Sequence, residues 1–351
     1  MTHKAVFFNL EEWAEEYLRN SQALAGAGVE VGFVHQVLDE HHPAPDADFD
    51  ILGTFVDSQA TAGILAALPN LKHIATLSTG FDHIDLATCA ARGISVSSVP
   101  TYGENTVAEY TFGLILALSR KICKANERVR EEGSFRLEGL RGFDLRGRTL
   151  GVLGTGHIGA RVIQVAKGFE MNVIAYDPFP NAALAEKMGF TYGSLEDVLS
   201  RSDIVTIHVP YLPTTHHLIN AQNIGLMKPD AYLINTARGA VVETGALVAA
   251  LKDGKLGGAG LDVLEEEGII KDELNSLVAN ETQGHDLKVV LEDHALIDMP
   301  NVIITPHNAF NTKEAFTRIL DTAIGNIVAF ANGAPTNLVK LPQENPSQAS
   351  K

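Results

Sequence analysis

The stretch Thr149-Leu150-Gly151-Val152-Leu153-Gly154-Thr155-Gly156-His157-Ile158-Gly159 decides the fold of this chain. A short apolar run leads into glycines spaced GxGxxG, and a segment with helical spacing, Ile158–Gly168, follows. In such a unit one glycine makes the tight turn, one lets the backbone approach a pyrophosphate, and one allows close helix–strand packing. The helix N-terminus then presents N–H groups and a positive dipole end to phosphates. On its own the motif is weak evidence for a nucleotide site, because an ordinary tight turn in a glycine-rich chain can have the same spacing.

A carboxylate at the end of the next predicted strand, Asn172–Tyr176, completes the pattern. Asp177 lies 23 residues beyond Gly154, where an acid would accept hydrogen bonds from the adenosine ribose hydroxyls. An isolated aspartate at a strand end is usually a turn or cap residue, but here strand, glycines, helix, strand and acid occur in order. The sequence therefore predicts a dinucleotide site, and it favours NAD over NADP because Asp177 would repel a 2′-phosphate.

The same alternation of strands and helices extends in both directions. Before the motif, predicted strands are Lys4–Phe8, Val29–Val34, Ile51–Val56, His73–Leu77 and Ile94–Ser97, with helices at Glu11–Leu24, Thr61–Leu68 and Ile84–Ala91. From the motif onward, predicted strands are Thr149–Leu153, Asn172–Tyr176, Asp203–Val209, Ala231–Asn235, Gly258–Asp262 and Val302–Thr305; helices are Ile158–Gly168, Ala182–Met188, Leu195–Ser200, Ala221–Met227 and Thr244–Leu251. One long helix, Asn105–Arg130, connects the blocks, and a final helix spans Thr312–Ala331. The pattern predicts an α/β protein with two doubly wound parallel sheets.

Composition excludes several classes of protein. With 351 residues, 45% hydrophobic and 20% charged, the chain can bury a sizeable core, which excludes wholesale disorder. Its net charge of −16 disfavours nucleic acid and anionic membranes as partners.

Cys89 and Cys123 stand far apart and outside any Cys/His cluster, so neither a disulfide framework nor a metal site is expected. The acidic N-terminal region is unlike a signal peptide, and the longest apolar stretch, Phe112–Leu118, is too short to span a bilayer; a cytoplasmic protein is expected.

Three charged segments follow predicted strands of the second block. They are Asn235-Thr236-Ala237-Arg238-Gly239, the run from Gly260 to Glu267, and Ile304-Thr305-Pro306-His307. Ligands of open α/β sheets bind beyond the carboxyl ends of the strands, so all three segments are expected at one crevice. Singly, Arg238 could form a surface ion pair, the Glu265–Glu267 run could be a solvated face, and His307 could be structural. Beside a nicotinamide site, a joint catalytic role is the better interpretation.

These residues carry a specific resemblance. The chain resembles the D-isomer-specific 2-hydroxyacid dehydrogenases, and is most similar to their D-lactate dehydrogenase branch. The matching motifs span nearly the whole chain: Ser78–Asp85, Val99–Tyr102, Thr106–Glu109, Gly154–Gly159, His208–Pro210, Asn235–Gly239, Leu261–Val263 and Thr305–His307.

The resemblance implies a domain organisation. It implies a Rossmann-type NAD-binding domain at residues 105–305 and a flavodoxin-like, discontinuous substrate domain at residues 1–104 plus 306–351, with a cleft between them. It also implies a homodimer paired through the nucleotide domains, with the Gly133–Arg148 stretch near the subunit contact.

The resemblance also implies roles for the charged residues. Arg238 becomes the carboxylate-binding arginine, His307 the acid/base that protonates the carbonyl oxygen, and Glu267 the partner that favours the imidazolium form. Chemistry alone does not say which of the three adjacent glutamates partners His307; the family spacing from Asp262 selects Glu267.

Further site residues come from the resemblance alone. Around the substrate it implies the backbone N–H groups of Thr79 and Gly80, with Tyr102 and Phe55 nearby. For the cofactor it implies Thr106, Gly154, Gly156, His157, Ile158, Gly159, Asp177, Val209, Pro210, Thr215, Thr236, Ala237 and Asp262. Ordinary turn, core or strand-end roles are the alternatives, most strongly for Phe55 and Tyr102.

The sequence thus predicts an NAD-dependent oxidoreductase that interconverts small 2-oxo and D-2-hydroxy acids, with pyruvate and D-lactate as the leading pair. Bulkier 2-oxo acids, such as 2-oxoisocaproate or phenylpyruvate, are the alternative within the same chemistry. Two other readings rank lower: an NAD-sensing scaffold like the C-terminal binding protein corepressors, and oxidation of formate or phosphite. The segment between Glu267 and His307 is longer than in the lactate enzymes and contains a polar run at residues 280–285, so substrate choice is the least determined feature.

Overall fold

The computed structural model describes residues 2–267 and 286–342. The polar run at 280–285 and the C-terminal tail from Gln343 lie outside these residues. The chain divides into two compact units: Met1–Tyr102 with Thr312–Lys351, and Gly103–Asn311. Each unit is built around its own parallel sheet.

The first unit contains, in its described residues, a five-stranded sheet. Its strands are β1 (His3–Phe8), β2 (Val29–Val34), β3 (Ile51–Thr54), β4 (His73–Thr76) and β5 (Ser95–Ser97), in the order β2-β1-β3-β4-β5. This is the flavodoxin-type strand order, as predicted. The helices are α1 (Glu12–Arg19), α2 (Gln22–Gly26), α3 (Ala62–Ala66) and α4 (Leu86–Arg92). The chain returns to this unit at its end through α12 (Lys313–Ala331).

The second unit contains a seven-stranded sheet within the described residues. Its strands are β6 (Thr149–Leu153), β7 (Asn172–Tyr176), β8 (Thr191–Tyr192), β9 (Ile204–Ile207), β10 (Ala231–Asn235), β11 (Leu256–Leu261) and β12 (Val302–Ile304). The order β12-β11-β10-β9-β6-β7-β8 is that of a doubly wound nucleotide-binding domain. The helices are α5 (Glu104–Ser119), α6 (Ile122–Glu132), α7 (His157–Gly168), α8 (Ala182–Met188), α9 (Leu195–Arg201), α10 (Thr244–Lys252) and α11 (Leu287–Ile297).

Both faces of the second sheet are buried. Val205 and Leu233 pack into one apolar cluster, whereas their chain neighbours Ile204 and Ile234 pack into another. Successive side chains of a strand point to opposite faces, so one apolar run supplies both cores. The strands are therefore held rigidly, and the loops that follow them start from fixed positions.

One row of paired residues closes the carboxyl edge of this sheet. Across the strands the row consists of Tyr176, Leu153, Ile207, Asn235, Leu261 and Ile304. Neighbouring strands lie about 4.8 Å apart. The residues that follow this row, Asp177, Gly154, His208, Thr236, Asp262 and Thr305, therefore lie along a single edge.

The long helix predicted over Asn105–Arg130 is wrong as a single element. It is two helices, α5 and α6, separated at Lys121, whose φ of 53° lies in the left-handed region. The N–H of Phe143 donates to the carbonyl of Ser119 at 3.0 Å, which takes that acceptor from the helical ladder. A side chain at Gly142 would collide with the same carbonyl, so a glycine is needed where the returning chain crosses.

The helix predicted over Ala221–Met227 is also wrong. Only a single 3-10 turn, Ile224–Leu226, forms there. The amide of Asn223 donates to the carbonyl of Leu218 at 2.8 Å, and its oxygen accepts from the N–H of Asn220 at 2.9 Å. Such local side-chain bonds compete with helical hydrogen bonds. Strand β8 and helix α11 were not predicted at all.

Across residues 2–267 and 286–342, no helix combines the length and apolar character needed to span a bilayer. Within the same residues, no group of three or more His, Cys, Asp or Glu side chains is arranged to hold a metal ion.

Candidate active site

The glycines of the GxGxxG loop meet the geometric demands predicted for a dinucleotide site. Gly154 has φ 91°, and a Cβ there would lie 2.8 Å from the carbonyl oxygen of His208. A Cβ on Gly159 would overlap the carbonyl of Gly154. At Gly156, by contrast, a Cβ would meet no described atom within 4 Å. The loop is thus packed behind and open in front of α7, whose first turn has no side-chain cap among the described residues, and this fits a pyrophosphate.

Asp177 lies beside this loop, at the end of β7. One oxygen, Oδ2, accepts from the N–H of Thr155 at 2.8 Å and from its hydroxyl at 2.8 Å. The other oxygen, Oδ1, accepts from the N–H of Phe179 at 2.9 Å. The hydroxyl of Thr155 is also hydrogen-bonded to the hydroxyl of Tyr192 at 2.8 Å. The carboxylate is therefore fixed at the position where a dinucleotide-binding sheet contacts the adenosine ribose.

Replacing Asp177 with Ser is expected to weaken the preference for NAD. A hydrogen bond to a charged group contributes about 1.5–3 kcal/mol, so kcat/KM for NADH should fall roughly 10–150-fold. The same change removes the charge that repels a 2′-phosphate, so the NADPH/NADH ratio of kcat/KM should rise. Steady-state kinetics with both cofactors measure this, with Glu186→Gln on the exposed face of α8 as the control. An unchanged ratio would contradict the predicted contact between Asp177 and the ribose.

The loop after β10 presents Arg238. The buried amide of Asn235 accepts from the N–H of Ala237 at 3.0 Å and donates to the carbonyl of Arg238 at 2.9 Å. The guanidinium is half-buried, and its Nη1 donates to the carbonyl of Ala237 at 2.8 Å. The hydroxyls of Thr111 and Thr236 meet at 3.1 Å, which attaches this loop to α5. Arg238 thus emerges from a backbone clamped by hydrogen bonds.

Asp262 holds the loop that carries His307. Its Oδ1 accepts from the hydroxyl of Thr305 at 2.5 Å and the N–H of Asn308 at 2.8 Å, and its Oδ2 accepts from the N–H of Ala309 at 2.8 Å. Burial raises the pKa of Asp262, although these hydrogen bonds act in the opposite direction. His307 itself has φ 51°, an uncommon conformation for a residue other than glycine, and such strain is concentrated at functional sites.

Glu267 pairs with His307. Its Oε1 lies 2.9 Å from Nδ1 of the imidazole, and His307 is largely buried. The neighbouring Glu265 is bonded to His217 instead, with Oε1 at 2.6 Å from Nε2. Contacts therefore single out Glu267 among the three glutamates, as the predicted role requires. The contact with Glu267 is made by Nδ1, and an acid/base role for His307 stays a prediction.

The remaining cofactor residues predicted from the resemblance lie on the same unit. Thr215 donates to the carbonyl of Pro210 at 2.7 Å and accepts from the N–H of Leu212 at 2.8 Å, so it closes the loop after β9. Val209 is buried at the start of that loop, and Thr106 is buried in the first turn of α5. Cofactor contacts by these residues, and by Asp262, whose carboxylate serves the His307 loop here, stay predictions.

His208 follows Ile207 at the same carboxyl edge of the sheet. Burial lowers its pKa to about 3, and its Nε2 bonds the hydroxyl of Thr206 at 2.9 Å. Burial therefore favours the neutral form of this imidazole.

The predicted substrate-binding residues belong to the first unit, at the carboxyl ends of three neighbouring strands. Phe55 follows β3 and contacts Phe316 with ring centroids 5.9 Å apart. Thr79, after β4, donates its hydroxyl to the carbonyl of Val99 at 2.7 Å, and the carbonyl of Gly80 accepts from Ser78 at 2.5 Å. The carbonyl of Tyr102, beyond β5, accepts from Arg318 at 2.6 Å. These residues share one edge of their own sheet, and their contacts with a substrate stay predictions.

Sequence reasoning missed several residues around His307 and Glu267. Phe310 packs edge-on against the imidazole, with ring centroids 6.3 Å apart. His217 and Asp293 contact the Glu265–Glu267 turn. Phe310 lies three residues beyond a predicted catalytic residue, which is a usable signal; no local pattern marks the other two.

Comparison with known proteins now decides the family. The family model for the D-isomer specific 2-hydroxyacid dehydrogenase NAD-binding domain matches residues 112–309. The chain belongs to this family. Its members are NAD-dependent oxidoreductases that act on 2-hydroxy acids, and the glycine loop of this 2-hydroxyacid dehydrogenase fits that cofactor.

Individual relatives of this dehydrogenase cover most of its length. A glyoxylate reductase from Aeropyrum pernix is 37% identical, over 87% of this chain and 89% of its own. The solved pyruvate reductase of Chlamydomonas reinhardtii superposes with a TM-score of 0.82 and 36% identity, covering 95% of this chain and 98% of its own. D-lactate dehydrogenase from Aquifex aeolicus, solved with NAD and lactic acid, gives a TM-score of 0.81 and 35% identity, covering 94% and 96%.

Proposed function

We propose that this dehydrogenase interconverts a small 2-oxo acid and its D-2-hydroxy acid, with pyruvate and D-lactate as the leading pair. The observation that carries the proposal is the Glu267–His307 pair at 2.9 Å. These two residues, Arg238 and the glycine loop all follow strands at the carboxyl edge of one sheet. Solved relatives named pyruvate reductase and D-lactate dehydrogenase support the choice of substrate.

Each charged residue has a separate task in the proposed reaction. NADH, held at the glycine loop beside Asp177, would supply the hydride for the carbonyl carbon of the 2-oxo acid. Nε2 of His307 donates a proton to the carbonyl oxygen, so the product is a neutral hydroxyl. Glu267, through Nδ1, fixes the ring orientation and stabilises the imidazolium that donates this proton. In the reverse direction His307 accepts the hydroxyl proton.

Arg238 holds the carboxylate of the substrate in the proposed complex. Its guanidinium presents parallel N–H donors that match a carboxylate. The clamp that Asn235 forms on the loop limits how far this group moves between turnovers. Donors of this kind also polarise the adjacent carbonyl as charge develops on its oxygen.

A panel of 2-oxo acids tests the substrate assignment. NADH oxidation should be measured at fixed pH with glyoxylate, pyruvate, 2-oxoisocaproate and phenylpyruvate, and the chirality of the product determined. The highest kcat/KM with pyruvate and a D-configured product would support the proposal. Preference for glyoxylate or for the bulky acids would reassign the substrate but keep the chemistry; tight NADH binding without turnover of any 2-oxo acid would favour a scaffold instead.

We also propose a homodimer formed through the second unit. In the part of the chain that the structure describes, no residue of helix α6 is buried, and Ile122 and Val129 are exposed. In the segment that follows, Phe135 and Leu137 are 85% and 82% exposed. Several large exposed apolar side chains within one stretch of chain favour a protein interface there.

Replacing both Phe135 and Leu137 with Ser is expected to weaken the dimer. Burial of each large apolar side chain contributes about 1.5–3 kcal/mol, so Kd should rise at least about 100-fold. Sedimentation over a range of concentrations measures it, with Leu291→Ser, at a 70% exposed position of α11, as the control. A wild-type monomer, or an equally tight double variant, would contradict the interface.

A cytoplasmic location is the remaining proposal. Cys89 and Cys123 are both free thiols, the first buried and the second exposed. Unpaired thiols suit a reducing compartment.

A further inference from the structure

The turn formed by Glu265, Glu266 and Glu267 contains the proposed partner of His307. Side chains from other elements form hydrogen bonds with this turn. Glu265 is bonded to His217 at 2.6 Å, and its Oε2 accepts from the hydroxyl of Thr244 at 2.8 Å and from the N–H of Thr244 at 3.3 Å. Thr244 is the first residue of α10. The turn is therefore attached at its first residue to the start of that helix.

The second attachment is made by Asp293. This aspartate lies in the middle of α11 with no exposed surface, although most aspartates are exposed. Its Oδ2 accepts from the N–H of Glu266 at 3.1 Å, and its Oδ1 lies 3.5 Å from the hydroxyl of Thr244. One buried side chain therefore joins α11, α10 and the turn.

Burying the carboxylate of Asp293 costs free energy, because a buried charge loses its hydration. Burial raises its pKa to about 7, and the charges of Glu265 and Glu266 act in the same direction, whereas the hydrogen bond from the Glu266 N–H opposes them. A leucine or alanine would avoid that penalty, but it would leave the N–H of Glu266 without this acceptor. What Asp293 supplies at this place is a fixed backbone one residue before Glu267.

We propose that Asp293 is a positioning residue for catalysis, which acts by holding the backbone of Glu266 so that the carboxylate of Glu267 stays in contact with His307. The inference rests on the proposed acid/base role of the Glu267–His307 pair. Because Glu267 follows Glu266 directly, a shift of this N–H displaces the carboxylate that lies 2.9 Å from the imidazole. Displacements of about 1 Å at a reacting group can lower a rate roughly 100-fold.

The test compares Asp293→Ala with Asp293→Asn. The alanine variant loses the acceptor, so kcat should fall roughly 10–100-fold while KM for the 2-oxo acid and the Kd for NADH change little. The asparagine variant keeps an oxygen acceptor of the same size and should recover most of the lost kcat. Glu292→Gln is the matched control, since Glu292 is the preceding residue of the same helix and pairs at 3.4 Å with Lys288.

A double-mutant cycle with Glu267→Gln separates positioning from general damage. If Asp293 acts through Glu267, then Asp293→Ala should have little further effect on kcat in the Glu267→Gln background. An equal fall in both backgrounds would overturn the proposal, and so would an asparagine variant as impaired as the alanine variant. If the alanine variant does not fold, the asparagine variant decides, measured in the enzyme that keeps Glu267. A kcat well below that of wild type in this variant contradicts the proposal. Failure of the proposed acid/base role of His307 would give a different result, because His307→Ala would then be as active as wild type.

Discussion

His307→Ala is expected to lower kcat for 2-oxo-acid reduction by roughly 10²–10⁴-fold, the contribution typical of a positioned acid/base group. Without the imidazole, the proton for the carbonyl oxygen must come from water, which is neither positioned nor held by Glu267. Binding of NADH should stay within a few-fold of wild type, because the glycine loop and Asp177 lie on other strands of the sheet. Stopped-flow reduction kinetics and fluorescence titration of NADH measure the two quantities separately.

The control for this variant is His35→Ala. His35 lies on the surface of the first unit, where its ring is 79% exposed and pairs with Glu15 at 3.0 Å. Its removal should leave kcat unchanged. A His307→Ala enzyme that turns over like this control would show that the proton comes from another group.

Arg238→Ala is expected to have the other large effect. Two charge-assisted hydrogen bonds to the substrate carboxylate contribute about 1.5–3 kcal/mol each, so kcat/KM should fall at least roughly 150-fold. Both KM and kcat should suffer, because the same guanidinium binds the carboxylate and polarises the carbonyl. Steady-state kinetics at saturating NADH measure the loss.

Arg238→Lys distinguishes geometry from charge. Lysine keeps the positive charge but lacks the planar fork, so it should recover only a minor part of the lost kcat/KM. Arg201→Ala, at an exposed position in the last turn of α9, is the surface control. Full recovery with lysine would contradict a two-pronged contact with the carboxylate.

Much of the second unit was predictable from sequence because its signals are local. The run Thr149–Leu153, the three glycines and Asp177 lie within one strand–helix–strand unit, where spacing along the chain fixes spacing in the fold. The segments that carry Arg238 and His307 were placed on one edge by a general property of parallel sheets. The structure adds the register that aligns Asn235, Leu261 and Ile304.

What the sequence did not predict depends on contacts distant along the chain. At the break between α5 and α6, the N–H of Phe143 donates to the carbonyl of Ser119, and periodicity over Asn105–Arg130 contains no sign of this contact. In the sequence Asp293 looks like an ordinary polar residue of a helix. It is buried, and it accepts a hydrogen bond from the N–H of Glu266, 27 residues earlier in the chain. The pairing of Glu267 with His307 across 40 residues came from family resemblance, and local chemistry left three glutamates open.

The left-handed backbone at His307 sets stability against reactivity. For a residue other than glycine this conformation costs about 1–3 kcal/mol of folding free energy. The three hydrogen bonds that the loop donates to Asp262 hold the backbone there nonetheless. Glycine would relax the strain and strengthen the fold, but it would remove the ring that handles the proton. A search for sturdier versions of this sequence, guided by folding alone, would therefore discard the very imidazole that turnover requires.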